Sequence, residues 1–263
     1  MFQILLNKQE KIRYDILQQA QTDTFISFST LSQRLALSPR MLARQLSAWQ
    51  AQPMDNCLQS LVDLKNKQLC LPTSFAQQLD LYVSILQRNA HLRLCWHLIE
   101  QPYCRLSDLE EIFYFSVSTI QRQTTTLAKF LTPYHIQLSF NHDPIIKGCE
   151  FQIRWLAWCL SLIFDPPFDW FSREELLQRF IEVQQMRITN GHSLNQTLPE
   201  KLVFSPDFSY QMSENGWQYL GKQLLDFELP ITTLESSSIF LFFQCQLDFF
   251  KTYQKQLLAS PSP

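Results

Sequence analysis

One segment of the chain is written twice, and this repeat constrains the fold more than any other feature. Leu31 to Trp49 (LSQRLALSPRMLARQLSAW) and Leu109 to Leu127 (LEEIFYFSVSTIQRQTTTL) match at a constant offset of 78 positions (116 − 38 = 78). Leu31 pairs with Leu109, Leu35 with Phe113, Leu37 with Phe115, Ser38 with Ser116, Leu42 with Ile120, Arg44 with Arg122 and Trp49 with Leu127. The apolar positions fall where two short helices face one core, and each copy places a Ser at the start of its second helix. This pattern predicts a helix-turn-helix in each copy.

The surrounding sequence predicts what completes each unit. Residues 8–20 set Ile12, Ile16 and Leu17 on one face of a first helix. Ser29 is read as the cap of a helix over about 29–36, and Ser38 followed by Pro39 as the start of a helix over about 38–50. Leu58 to Leu64 and Gln68 to Leu71 flank the polar turn Lys65 Asn66 Lys67, the pattern of a β-hairpin wing that Pro72 ends. Residues 73–100 have helical periodicity and supply a linking helix and the first helix of the second unit. In that unit Ser107 is read as the cap of a short helix and Ser116 as the cap of one running to about Leu131. Ile136 to Phe140 and Ile145 Ile146, around Asn141 to Pro144, predict a shorter second wing.

Beyond the repeats, Glu150 to Phe164 forms an apolar helix that Asp165 Pro166 Pro167 terminates, and Ser172 starts another that Asn190 Gly191 close. Residues 192–236 are read as loops and helices, and the Phe-rich stretch 237–258 as a final helix that packs into the preceding domain or forms a dimer seam. Trp155, Trp158, Phe164, Phe168, Trp170 and Phe171 are read as core rather than as an aromatic ligand box. The fold class expected is mostly α: two tandem winged helix-turn-helix units with small β-hairpin wings, then an all-α regulatory domain. The expected divisions are 1–72, 73–149 and 150–263.

Composition narrows the function. Only 4 Gly among 263 residues leave little material for phosphate-cradling turns, and no nucleophile elbow, dinucleotide fingerprint or metal-ligand spacing is present, so an enzyme is disfavoured. No cofactor or metal is expected. The 7 Cys show no CxxC pair and fit reduced thiols, and no apolar run is long enough for a membrane span, so a cytoplasmic protein is expected. The net charge of −2 is unevenly spread. Residues 1–90 carry nine Lys or Arg against six Asp or Glu (+3), 91–150 five against six (−1), and 151–263 eight against twelve (−4). Phosphate contacts therefore belong to the N-terminal third.

Several of these segments resemble one family. Ser38 to Arg44 (SPRMLAR) looks like the start of the recognition helix of Mga-family transcription regulators, and Phe115 to Arg122 resembles the second such helix. Ile136 to Phe140 through Ile145 to Gly148 is similar to the family's second wing, and Met186 to His192 to a helix end in its phosphotransferase-regulated domain. The resemblance covers about residues 8–190 and implies a short form ending after the first such domain. It also implies double-stranded DNA as partner, a homodimer, and His192 as a phosphorylation site served by a phosphotransferase-system phosphodonor.

If the first unit docks as helix-turn-helix proteins do, the N-terminal turns of its second helix meet the base edges. Arg reads guanine with two hydrogen bonds and Gln reads adenine, so Arg40, Arg44 and Gln45 are the expected base readers, with Ser38 and Met41 beside them. Lys65 and Lys67 on the wing tip suit phosphate. The second unit offers Ser116, Ser118, Thr119 and Arg122, a less basic set. The rival reading is a protein-interaction module that keeps the winged-helix fold without strong DNA binding.

Overall fold

The computed structural model describes residues 2–20, 25–51, 62–63, 65–70, 75–141, 143–168, 172–192, 201–205 and 208–211. Nine α-helices and three small antiparallel sheets occur among them. The chain groups into two compact units, Phe2–Cys95 with Ile163–Trp170, and Trp96–Leu162 with Phe171–Pro263.

The first unit begins with α1 (Lys8–Ala20), whose Ile16, Leu17 and Ala20 are buried. Strand β1 (Phe25–Ser27) leads directly into α2 (Phe28–Arg34), and a tight turn with Ala36 at φ 51° leads to α3 (Pro39–Gln50). Strands β2 (Val62–Asp63) and β3 (Gln68–Cys70) form the wing, and β1 pairs with β3 so that the sheet order is β1-β3-β2. Strand β1 is absent from the expectation because its register, Phe25↔Cys70 to Ser27↔Gln68, is made with residues far along the chain. Leu31, Leu42, Leu46, Trp49, Ile26 and Leu69 close the core over α1. Buried Arg13 lies over the Trp49 ring at 5.6 Å, which makes it an internal cation rather than a surface one. Helix α4 (Phe75–Gln87) packs on α1, and Asn89 at its end donates to Leu5 O and to Glu10 Oε2.

The second unit repeats the plan. Helix α5 (Ala90–Glu100) enters it, followed by α6 (Leu106–Phe113) and α7 (Val117–Leu131). Strands β4 (Ile136–Leu138) and β5 (Ile146–Gly148) make a two-stranded wing in the register Ile136↔Gly148. A side chain at Gly148, φ 152°, would meet His135 O at 2.4 Å, so glycine is required where the two strands approach. The offset of 78 holds in three dimensions: Ser38 and Ser116 both cap, and Ala36 and Tyr114 both take the left-handed turn, φ 51° and 55°. Leu31 and Leu109, Leu42 and Ile120, and Trp49 and Leu127 are all buried.

Two caps differ from expectation. Helix α2 is capped by Ser27, not Ser29, because Ser27 has the extended backbone (φ −71°, ψ 150°) that lets its Oγ accept from Thr30 N. Ser107 lies inside α6, and the helix start is satisfied instead by Asp108, whose carboxylate accepts from Arg105 N at 2.8 Å.

Helices α8 (Glu150–Phe164) and α9 (Arg173–Thr189) follow as the sequence predicts, with Ser172 accepting from Glu175 N and Gly191 left-handed at φ 81°. Trp155 and Trp158 are buried and tilted against one another at 5.6 Å, but Phe168 is fully exposed, so the core assignment fails there. Within 192–236, read as loops and helices, the chain forms an antiparallel pair, β6 (Lys201–Ser205) with β7 (Phe208–Gln211). Val203, Phe204, Phe208 and Tyr210 are strand-forming residue types on either side of Pro206 and Asp207. His142, Trp170, Phe171 and the Phe-rich stretch 237–258 lie outside the described residues.

Candidate nucleic-acid interface

Helix α3 is built so that its two sides separate cleanly. Pro39 occupies the first helical position and Ser38 Oγ accepts from Met41 N at 3.2 Å, which fixes where the helix begins. With Leu42, Leu46 and Trp49 inward, Ser38, Arg40, Met41 and Arg44 stand exposed over the first two turns and Gln45 is half-buried. Neither the Arg40 nor the Arg44 side chain has a polar partner among the described residues.

The wing is tied to the same helices. Gln50 Nε2, at the far end of α3, donates to Val62 O at 2.9 Å, and Phe28 N at the start of α2 donates to Lys67 O at 2.8 Å. The tip is shaped by Asp63, whose Oδ1 accepts from Lys65 N and Asn66 N while Oδ2 accepts from Asn66 Nδ2 at 2.7 Å. Those bonds, the Asn66 backbone N–H foremost, hold the carboxyl below its usual range. Asp63 is thus committed to the turn, and Lys65 and Lys67 stand exposed on either side of Asn66.

The second copy places its corresponding residues differently. The hydroxyls of Ser118 and Thr119 both lie 3.0 Å from Ser116 Oγ, so all three belong to the cap of α7. Further along, Thr124 and Thr125 donate to Gln121 O and Thr126 to Arg122 O, which engages their hydroxyls with the helix's own carbonyls. Arg122 and Lys129 are the exposed cations of α7. Position 124 matches Leu46, and it substitutes a buried hydroxyl for a core leucine.

Helices α5, α8 and α9 meet in an ion cluster within this second unit. Glu150, at the start of α8, receives Arg187 Nε and Nη2 at 2.9 and 2.7 Å and Arg154 Nε at 3.0 Å. Both guanidinium groups are almost wholly buried. Arg154 also donates to Gln184 Oε1 and to His192 O, both at 2.6 Å, whereas Arg187 donates to Ile99 O and Asn190 to Glu100 O, the last carbonyls of α5. His192 is half-buried, stacked on Tyr103 at 6.1 Å, with an Nε2 that has no hydrogen-bond partner. Burial, then Arg187 and Arg154, lower its pKa, and Glu150 opposes them. Sequence reasoning missed this cluster, although an Arg at 154 amid the apolar run FQIRWLAW was its signal.

The family comparison now decides the kind of unit. Over residues 74–160 the sequence matches the model of the Mga helix-turn-helix domain, from α4 through the second copy and its wing into α8. That stretch, about a third of the chain, is thus similar to a Mga helix-turn-helix domain. No curated protein matches the chain. The Mga match covers the second copy, and the first precedes it in the sequence as a repeat with the same caps, the same left-handed turn and the same buried positions. No helix among the described residues is long and apolar enough to cross a membrane.

Proposed function

We propose that this protein is a sequence-specific DNA-binding transcription regulator of the Mga type, with base reading mainly by α3. One observation carries the reading: a chain whose residues 74–160 match the Mga helix-turn-helix domain holds a second copy of that unit, and its recognition-helix position exposes two arginines with no polar partner among the described residues. Arg40, Arg44 and Gln45 lie on the N-terminal half of α3, the part that meets base edges in helix-turn-helix complexes. Arg40 or Arg44 pairs with guanine O6 and N7, Met41 contacts a thymine methyl, and Ser38, Lys65 and Lys67 take phosphates. In the second copy Arg122 adds a phosphate contact, with Ser116, Ser118 and Thr119 at the start of α7 beside it.

The division of labour proposed is 1–72 for reading, 73–149 for linking and positioning, and 150–263 for regulation, in a cytoplasmic homodimer. His192 is the proposed phosphorylation site, with a phosphotransferase-system protein as donor. The two arginines nearby favour an added anionic group, while the buried Nε2 means that the ring must turn to accept it.

The reading is tested by selecting duplexes from a random pool with the full chain and measuring anisotropy on the winning fragment. Selection of a consensus is expected, together with a loss of about 5- to 150-fold for Arg44→Ala, the equivalent of ~1–3 kcal/mol for one bidentate base contact. Failure to enrich any sequence over the starting pool contradicts the proposal. A protein-interaction role for the second copy is favoured by a separate observation on α6.

A further inference from the structure

Helix α6 carries on its outward side a set of residues that DNA reading does not use and of which the fold uses only Asp108, at the helix start. Its sequence LSDLEEIF holds three carboxylates and no Lys or Arg. Positions three and four apart are neighbours on a helix surface, so exposed Asp108, Glu111 and Ile112 form one strip that ends at Tyr114, the C-cap. The first copy provides the control. Its matching residues, Thr30, Gln33, Arg34 and Ala36, are small or polar and carry one positive charge.

Tyr114 is the residue hardest to explain from within. It holds a left-handed backbone (φ 55°, ψ 36°) that bulky residues seldom adopt, and its side chain is 92% exposed. The same turn is made by Ala36 in the first copy, so the turn does not require an aromatic. Ile112, 48% exposed, lies beside it. Asp108 and Glu110 are occupied in part, accepting from Arg105 N and Val117 N, but Glu111 makes no polar contact among the described residues. In a helix-turn-helix the first helix crosses the DNA backbone, where carboxylates face phosphates at a cost. An aromatic face beside an uncommitted carboxylate suits an arginine, whose guanidinium stacks on the ring and forks onto the carboxylate.

We propose that the strip Asp108, Glu111, Ile112 and Tyr114 is a docking surface for a partner protein segment that presents an arginine next to an aliphatic side chain. The arginine lies over Tyr114 and bonds Glu111, and the aliphatic group covers Ile112. Aromatic and arginine anchors of this kind dominate the energy of protein interfaces.

The test uses the full chain and two fluorescein-labelled peptides that share an i, i+3, i+4 leucine stripe, one flanked by arginines and the other by glutamates. Wild-type protein is expected to favour the arginine peptide at least fivefold. Tyr114→Ala is expected to weaken that binding at least threefold and Glu111→Lys to abolish the preference, while Arg40→Ala with Arg44→Ala leaves it unchanged. Because the substituted side chains are exposed, thermal denaturation should coincide with wild type and exclude misfolding as the cause. Equal binding by wild type and Tyr114→Ala overturns the proposal. So does a change of oligomeric state in Tyr114→Ala by light scattering, which would assign the strip to a second copy of this chain. Neither outcome depends on DNA binding.

Discussion

The two helix-turn-helix copies share a backbone and part ways at the surface. In the first, Arg40 and Arg44 on the outward side of α3 have no polar partner among the described residues, and the wing tip presents Lys65 and Lys67. In the second, the hydroxyls of α7 are bonded to its own cap and carbonyls, and the preceding helix is acidic and apolar. The difference teaches that a fold repeat conserves what packs, namely the caps, the left-handed turn and the buried positions, while the chemistry offered to a partner is set by side chains that packing does not restrain.

The largest effect that would break this comparison lies beneath the second copy. Glu150→Ala leaves the buried guanidinium groups of Arg154 and Arg187 without their carboxylate, and a loss of about 3–5 kcal/mol in urea denaturation is expected. A loss below ~1 kcal/mol would mean that the cluster does not hold α5, α8 and α9 together. The matched core positions come next. Leu46→Ala should cost about 2–5 kcal/mol by opening a cavity. Thr124→Val at the equivalent site should change stability by less than ~1 kcal/mol, since it replaces one helix-internal hydrogen bond with a buried methyl. Equal losses at both sites would show that the cores are more alike than their residues.

Gly148→Ala should cost more than ~1 kcal/mol, because the added carbon meets His135 O in the second wing. Circular dichroism melts would register it, and an unchanged melting temperature would place the β4–β5 approach elsewhere. The smallest effect is one of pH. His192 and His97 are both held below the ordinary imidazole range by burial, so the unfolded chain binds protons more readily. Stability contributed by keeping them neutral is intact above the unfolded value of about 6.5 and falls as pH drops through it. His97→Gln with His192→Gln should therefore lose less stability than wild type between neutral and mildly acidic pH. A steeper loss in the variant would reverse the sign of the account.

Much of the fold was legible because its signals are local. Ser38 with Pro39, Ser116, Ser172, Pro166 with Pro167 and Gly191 act through bonds or backbone angles within a few residues, and each falls where the sequence predicts. Strand β1 was not legible, since three residues become a strand only through β3, more than forty positions later. The choice between Ser27 and Ser29 as cap was hidden for a related reason: both are serines near a helix start, and only the backbone at Ser27 decides. At the candidate interface, the outward placement of Arg40, Met41 and Arg44 followed from helical period. The engagement of the α7 threonines did not, because a threonine's rotamer is invisible in a sequence.

The central claim, that reading belongs to the first copy, is tested by DNA affinity of the full chain on its selected site across a salt series. Wild type is compared with Arg40→Ala/Arg44→Ala and with Arg122→Ala. The double variant is expected to lose at least about 100-fold and its discrimination between sites. Arg122→Ala should lose less than about fivefold, equally on all sequences, with a salt slope shallower by at most about 1. The opposite pattern, specificity lost with Arg122→Ala and kept with Arg40→Ala/Arg44→Ala, would contradict the account and move base reading to α7.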